Sequence, residues 1–244
     1  MEKNWKTELK KYLDEARGLG LFMISAGFFD AVLQYPGLPF RHLITSALVR
    51  RFLVGLAMGL TALYIFTSKF GKQSGAYINP AVTLIRYRLG DIGFTDAIGY
   101  TIFQLIGGSL GVYVVAVLFP TWMAYPDVNY VVTVPGKSGI WIAFTLEFLI
   151  SFLLIAVVLF MGIRKSWDRY TPYAVSALIT IFITFEAPYS GMSMNPARTF
   201  ASAIVAGDWK SFWLYCTAPV MGMLVGEVLY VKTKKYFTPV KTEN

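Results

Sequence analysis

Residues 74–83 read Ser-Gly-Ala-Tyr-Ile-Asn-Pro-Ala-Val-Thr, and residues 190–199 read Ser-Gly-Met-Ser-Met-Asn-Pro-Ala-Arg-Thr. One Asn-Pro-Ala triplet is an ordinary helix start, because Asn caps the first turn and Pro is pre-set for the first helical position. Two copies, each led by Ser-Gly and each inside a short apolar stretch, are far more specific. The stretches 74–85 and 191–205 are too short to cross a bilayer, which takes about 20 apolar residues. One follows the second long apolar segment and the other follows the fifth. Short, Pro-interrupted pieces at matching places in two halves predict an inverted repeat whose half-helices meet at the midplane. Backbone that irregular survives at membrane depth only where it lines a water-filled cavity or is buried in protein.

The rest of the chain agrees. Of its 244 residues 56% are hydrophobic and 15% charged, which excludes an ordinary soluble domain. Six segments read as spans: 18–33, 52–68, 97–119, 140–163, 170–185 and 211–231, the first and fifth borrowing flanking residues. Only Asp30, Glu147 and Glu227 interrupt them. Three spans per half make the halves run in opposite directions. The expected organisation is one domain over 1–244, with half-repeats at about 12–119 and 140–231 and an exposed linker at 120–139.

The net charge of +8 sits in the gaps between apolar runs, a pattern of topology control and contact with anionic lipid, with no nucleic-acid module. Basic residues such as Lys3, Lys10, Lys11, Arg86, Arg88, Arg164, Lys165, Lys234, Lys235 and Lys241 fall on one side. Far fewer, including Arg41, Lys137 and Lys210, fall on the other. The bias places both termini in the cytoplasm of a multi-pass protein of a cell membrane. Arg50 and Arg51 fit the outer side poorly and read as snorkelling at the start of the second span. Aromatic residues near span ends, among them Trp122, Trp141, Trp167 and Trp209, match interfacial belts.

The paired Asn residues have a readable chemistry. The side-chain oxygen of Asn79 is placed to cap the N–H of Val82, and that of Asn195 the N–H of Arg198. Each amide then turns its NH2 into a lumen, where it meets a passing water oxygen. Two half-helix N-termini add partial positive charge at the midplane, which repels cations but not neutral water.

With both motifs (Asn79, Pro80, Ala81 and Asn195, Pro196, Ala197), Glu15 and Glu147 in the first helix of each half, and Gln104 in the third span, the chain resembles the aquaporin or major intrinsic protein family from Glu15 to about Tyr230. Glu15 lies 64 residues before Asn79, and Glu147 lies 48 before Asn195, so the halves share a plan but not loop lengths. The resemblance implies an all-α membrane protein: an aquaporin-like right-handed bundle of six transmembrane helices plus two half-helices. It also implies a homotetramer with a pore in each subunit and no cofactor. Glu15 and Glu147 become supporting acids that accept hydrogen bonds from the irregular backbone. Arg198, directly after the second triplet, matches the outer selectivity-filter arginine; a salt bridge to Glu186 is the structural alternative. The other filter positions fall on Ile183, Met192 and Gly59, or on Met58 if one residue is inserted between 64 and 70.

The implied function is passive conduction of water, excluding protons and ions. A facilitator of glycerol, ammonia or urea is the alternative, because Ile183 and Gly59 depart from the aromatic and histidine of the familiar water pattern. Thr199, Ala203 and Tyr215 look like the water group, while Cys216 stands where a tryptophan is expected. A proton-coupled transporter using Glu147 is a more distant reading. Glu186 reads as a rim residue paired with Lys137 or Arg198. His42, the only histidine, reads as a loop residue. No metal cluster, nucleophile triad or phosphate loop points to an enzyme. The pairs Gly55–Gly59, Gly107–Gly111 and Gly222–Gly226 read as close helix contacts.

Overall fold

A computed structural model describes residues 5–237; Lys3 and Lys241, counted above for orientation, lie outside them. Eight principal helices follow in order: α1 (Trp5–Gln34), α2 (Ala47–Thr67), α3 (Pro80–Arg88), α4 (Phe94–Leu118), α5 (Ile140–Met161), α6 (Thr171–Phe185), α7 (Pro196–Ala206) and α8 (Phe212–Phe237). Five of them, α1, α2, α4, α5 and α8, are long and apolar enough to cross a membrane. The fifth span in chain order, α6, has 15 residues, or about 22 Å against a hydrocarbon core of about 30 Å. It borrows no flanking helix. Glu186 ends it, and a separate turn, Ala187–Ser190, carries the chain back inward.

The packing repeats itself. In each half the first span lies against the third, α1 on α4 and α5 on α8, and the two middle spans, α2 and α6, pack on each other across the repeat. The three glycine pairs sit in these three seams. A methyl on Gly107 or Gly111 would strike the α1 carbonyls of Ala16 or Gly20, and one on Gly222 would strike the carbonyl of Phe148. One on Gly55 would stand 2.7 Å from the carbonyl oxygen of Thr180. Without hydrophobic drive between helices in lipid, association depends on such close backbone approach. The half-helices α3 and α7 touch each other, and each also packs on the third span of the opposite half.

Two expectations need correction. The linker is exposed only in part: Pro120, Asp127, Lys137 and Ser138 are exposed, but Met123, Val128, Val131 and Thr133 are buried, and Gly136 N–H donates to the carbonyl of Tyr189 at 2.8 Å. Its apolar residues fold over the end of the bundle. Nor does Arg50 snorkel. It is buried, with Nε donating to Gln34 Oε1 at 3.1 Å and Nη1 to the carbonyls of Ile44 and Thr45.

Candidate functional site

The chain before each half-helix is held in a costly conformation. Gly75 and Gly191 lie at positive φ, where glycine is at no disadvantage. Ala76, Ile78, Met192 and Met194 lie there too, at φ 43° to 53°. For a β-branched residue such as Ile78 this is an outlier, and each such residue costs on the order of 1–3 kcal/mol. The same positions are strained in both halves, so the conformation is specified twice.

A buried carboxylate holds each segment. Glu15 Oε1 accepts from Ser74 Oγ at 2.7 Å and Tyr77 N–H at 3.0 Å; Oε2 accepts from Ile78 N–H at 2.6 Å and Gln104 Nε2 at 2.7 Å. Glu147 Oε1 accepts from Ser190 Oγ at 2.7 Å and Ser193 N–H at 2.6 Å, and Oε2 from Met194 N–H at 2.7 Å. Both acids are fully buried, and a buried charge must be hydrogen-bonded to be tolerated. Two tyrosines complete the frame. Tyr100 OH donates to the carbonyl of Ser74 and Tyr215 OH to that of Ser190.

At the centre the halves are cross-bonded. Asn79 Nδ2 donates to the Met194 carbonyl and Asn195 Nδ2 to the Ile78 carbonyl, both at 2.7 Å. The side-chain oxygens cap the helices: Asn195 Oδ1 accepts from Ala197 N–H and Arg198 N–H, and Asn79 Oδ1 accepts from Ala81 N–H at 2.9 Å. The cap of Asn79 thus falls one residue before the expected Val82. Each amide has two hydrogens. One is used by the opposite half, which leaves one for the lumen. Ala81 and Ala197 are buried to 1% and 0% exposure, so a larger side chain would force the two half-helices apart.

These elements line a cavity of about 700 Å³ that takes in both Asn79 and Asn195. Its wall has two characters. The strained segments 75–79 and 191–195 supply a polar strip, and Phe22, Ala26, Val54, Met58, Ile179 and Ile183 supply an apolar one. At one end stand Arg198, Arg51, Asp30 and Asp127; at the other stand Lys72, Arg86 and Asp168.

Among the filter candidates Arg198, Ile183, Met192 and Met58 line the cavity. Gly59 does not: its open face is turned to α6, where a methyl would meet the carbonyl oxygen of Ser176 at 2.7 Å. The gap-free assignment is therefore corrected. Gly59 faces a helix seam, and of the two candidates Met58 is the one that lines the cavity. Arg198 makes no ion pair with Glu186; its Nη1 donates to the Val131 carbonyl at 2.7 Å. Residues Asn129, Tyr130 and Val131, all at positive φ, turn that carbonyl inward. Glu186 pairs with neither Lys137 nor Arg198. Its carboxyl oxygens are buried without a hydrogen-bond donor, because the nearby Ser190 hydroxyl is given to Glu147.

The sequence named Asp30 and Tyr215 without these roles, and it pointed to neither Tyr100 nor the Val131 carbonyl. Tyr100 and Tyr215 had a usable signal, since they follow the two Ser-Gly steps at nearly equal distances. A backbone carbonyl carries no signal in composition.

A helical membrane fold built around paired, capped half-helices defines a polytopic protein with a central lined cavity. The chain belongs to the major intrinsic protein family, whose model, described as "Major intrinsic protein", matches residues 3–230. It is 32% identical over 199 residues to Aquaporin NIP3-1 of Arabidopsis thaliana, covering 78% of this chain and 61% of that protein. It is 30% identical over 183 residues to Aquaporin-4 of Mus musculus, covering 73% and 55%. The matched region spans about three-fifths of the length of these relatives. The solved aquaglyceroporin from Plasmodium falciparum superposes with a TM-score of 0.81 at 19% identity, covering 94% of this chain and 98% of that one. That likeness is one of fold.

Proposed function

We propose that the chain is a passive channel for water that also admits small uncharged polar solutes and excludes ions and protons. The cross-bonded asparagine pair carries this reading. It leaves one anchored donor per half facing the cavity, at the meeting point of two helix N-termini. Positive partial charge there opposes cations and hydronium, while a neutral molecule that accepts a hydrogen bond passes. Glu15 and Glu147 are acceptors already committed to the backbone, which argues against a coupled proton carrier. Solute passage in addition to water is favoured by the aliphatic filter, since Met58, Ile183 and Met192 place no aromatic ring beside Arg198. The bias of basic residues supports cytoplasmic termini. Assembly as a homotetramer, with one pore per subunit, belongs to the same reading and is checked by light scattering of the purified protein.

The test is stopped-flow light scattering on proteoliposomes. An impermeant osmolyte should drive shrinkage faster than in empty vesicles, with no saturation and no dependence on a proton gradient. Glycerol and urea gradients should give measurable re-swelling. Permeability equal to empty vesicles, or flux driven by a pH gradient, would overturn the proposal.

A further inference from the structure

One acid of the membrane-spanning helices, Asp30, lies on the cavity wall. An acid within a span is expensive and marks a functional position by default, and the pore frame uses no part of it. Its place is the cavity wall at the Arg198 end.

Its setting is built. Asp30 stands one helical turn before Gln34 on α1, at the i,i+4 spacing that makes two helical side chains neighbours. Gln34 in turn accepts from Arg50 Nε through Oε1 at 3.1 Å, so its NH2 is the group left to donate to Asp30. Arg50 is immobilised by the carbonyls of Ile44 and Thr45 at 2.7 and 3.0 Å. A run of three polar side chains, Arg50, Gln34 and Asp30, thus leads to the cavity, which Gln34 and Asp30 line. Arg198 is fixed in the same manner by the Val131 carbonyl. The two charges lie within electrostatic range without forming an ion pair, and each keeps hydrogen-bonding capacity unspent.

We propose that Asp30 is a specificity-determining residue of the pore: the acceptor half of a two-point recognition site whose donor half is Arg198, selecting small uncharged molecules that donate from one side and accept on another. The inference rests on the channel reading above. The site acts on solutes that carry both a donor and an acceptor, so it is read in the ratio of solute to water permeability. The apolar wall of Val54 and Ile183 accommodates the carbon skeleton of such a solute. Arg198 alone would present donors only. Asp30 supplies the acceptor that hydroxyl and amide N–H groups require.

Proteoliposomes carrying wild type, Asp30→Asn, Asp30→Glu and Gln34→Leu are compared for water, glycerol and urea permeability, normalised to folded protein. Asp30→Asn should lower the ratio of solute to water permeability about tenfold, the worth of one charge-assisted hydrogen bond. Asp30→Glu should recover most of the loss. Gln34→Leu, which frees the carboxylate to swing, should fall between. An unchanged solute-to-water ratio in Asp30→Asn overturns the proposal. So does equal impairment of Asp30→Glu and Asp30→Asn, which would mark a structural role, and so does a wild type that passes water but neither solute. A wild type passing nothing overturns the channel reading itself.

Discussion

Replacing Glu147 by Gln probes the frame of the pore directly. The carboxylate accepts three hydrogen bonds, from Ser190 Oγ, Ser193 N–H and Met194 N–H. Glutamine has one oxygen. If it takes the place of Oε1, the serine hydroxyl and Ser193 remain bonded, and the Met194 N–H faces an NH2. The lost charge-assisted bond is worth about 1.5–3 kcal/mol, and the buried N–H left without a partner costs about 1–3 kcal/mol more. Relief of the charge's own burial cost offsets part of this. A net loss of about 2–5 kcal/mol is a large fraction of the stability of about 5–15 kcal/mol typical of folded proteins. At about 2–4 °C per kcal/mol for a chain of this size, the melting temperature should drop by roughly 4–20 °C. Met194 would also lose the bond that holds it at positive φ, so water permeability per folded copy should fall as well. Circular dichroism melts in detergent and stopped-flow shrinkage read the two effects. A melting point within about 2 °C of wild type, with full water flux, would refute the claim that this acid holds the strained segment.

Three further predictions concern the filter and the seams. Arg198→Val removes the charge and the bond to Val131; proton exclusion, read with a pH-sensitive dye inside vesicles, should weaken, and proton leakage equal to wild type would count against its place in the pore. Gly59→Ala puts a methyl against Ser176 and should cost about 1–3 kcal/mol while leaving flux per folded copy unchanged; lower flux at unchanged stability would put Gly59 back in the lumen. Cys216 is half-buried on α8 and is not among the residues lining the cavity, so mercurial inhibition should be weak and the same in Cys216→Ser.

The repeated triplet made the architecture legible, because capping and bilayer length are local rules that a string of residues obeys visibly. The asparagines, the two supporting acids and Arg198 could be named for the same reason: an Asn cap or an intramembrane charge is conspicuous on its own. Gly59 shows where that legibility stops. Counting back from Asn79 assumes a fixed path between helix and motif, and one residue of slack rotates the lumen-facing side of α2 by about 100°, from Gly59 to Met58. Arg50 was misread because its partners, Gln34 and the carbonyls of residues 44 and 45, come together only through the loop that joins α1 to α2. Glu186 was assigned partners by proximity in sequence and charge, whereas its burial beside Ser190 left it none.

The exchange of hydrogen bonds between Asn79 and Met194, and between Asn195 and Ile78, bears on biosynthesis. The amino-terminal half emerges from the ribosome with an amide donor and a carbonyl acceptor at its heart that nothing in that half satisfies. Both wait until more than a hundred further residues have been made and threaded back. Insertion of the second half is therefore the closing step of assembly for both halves. Two separately expressed fragments, cut within residues 120–139, should find each other in the membrane, because each carries the other's missing partners.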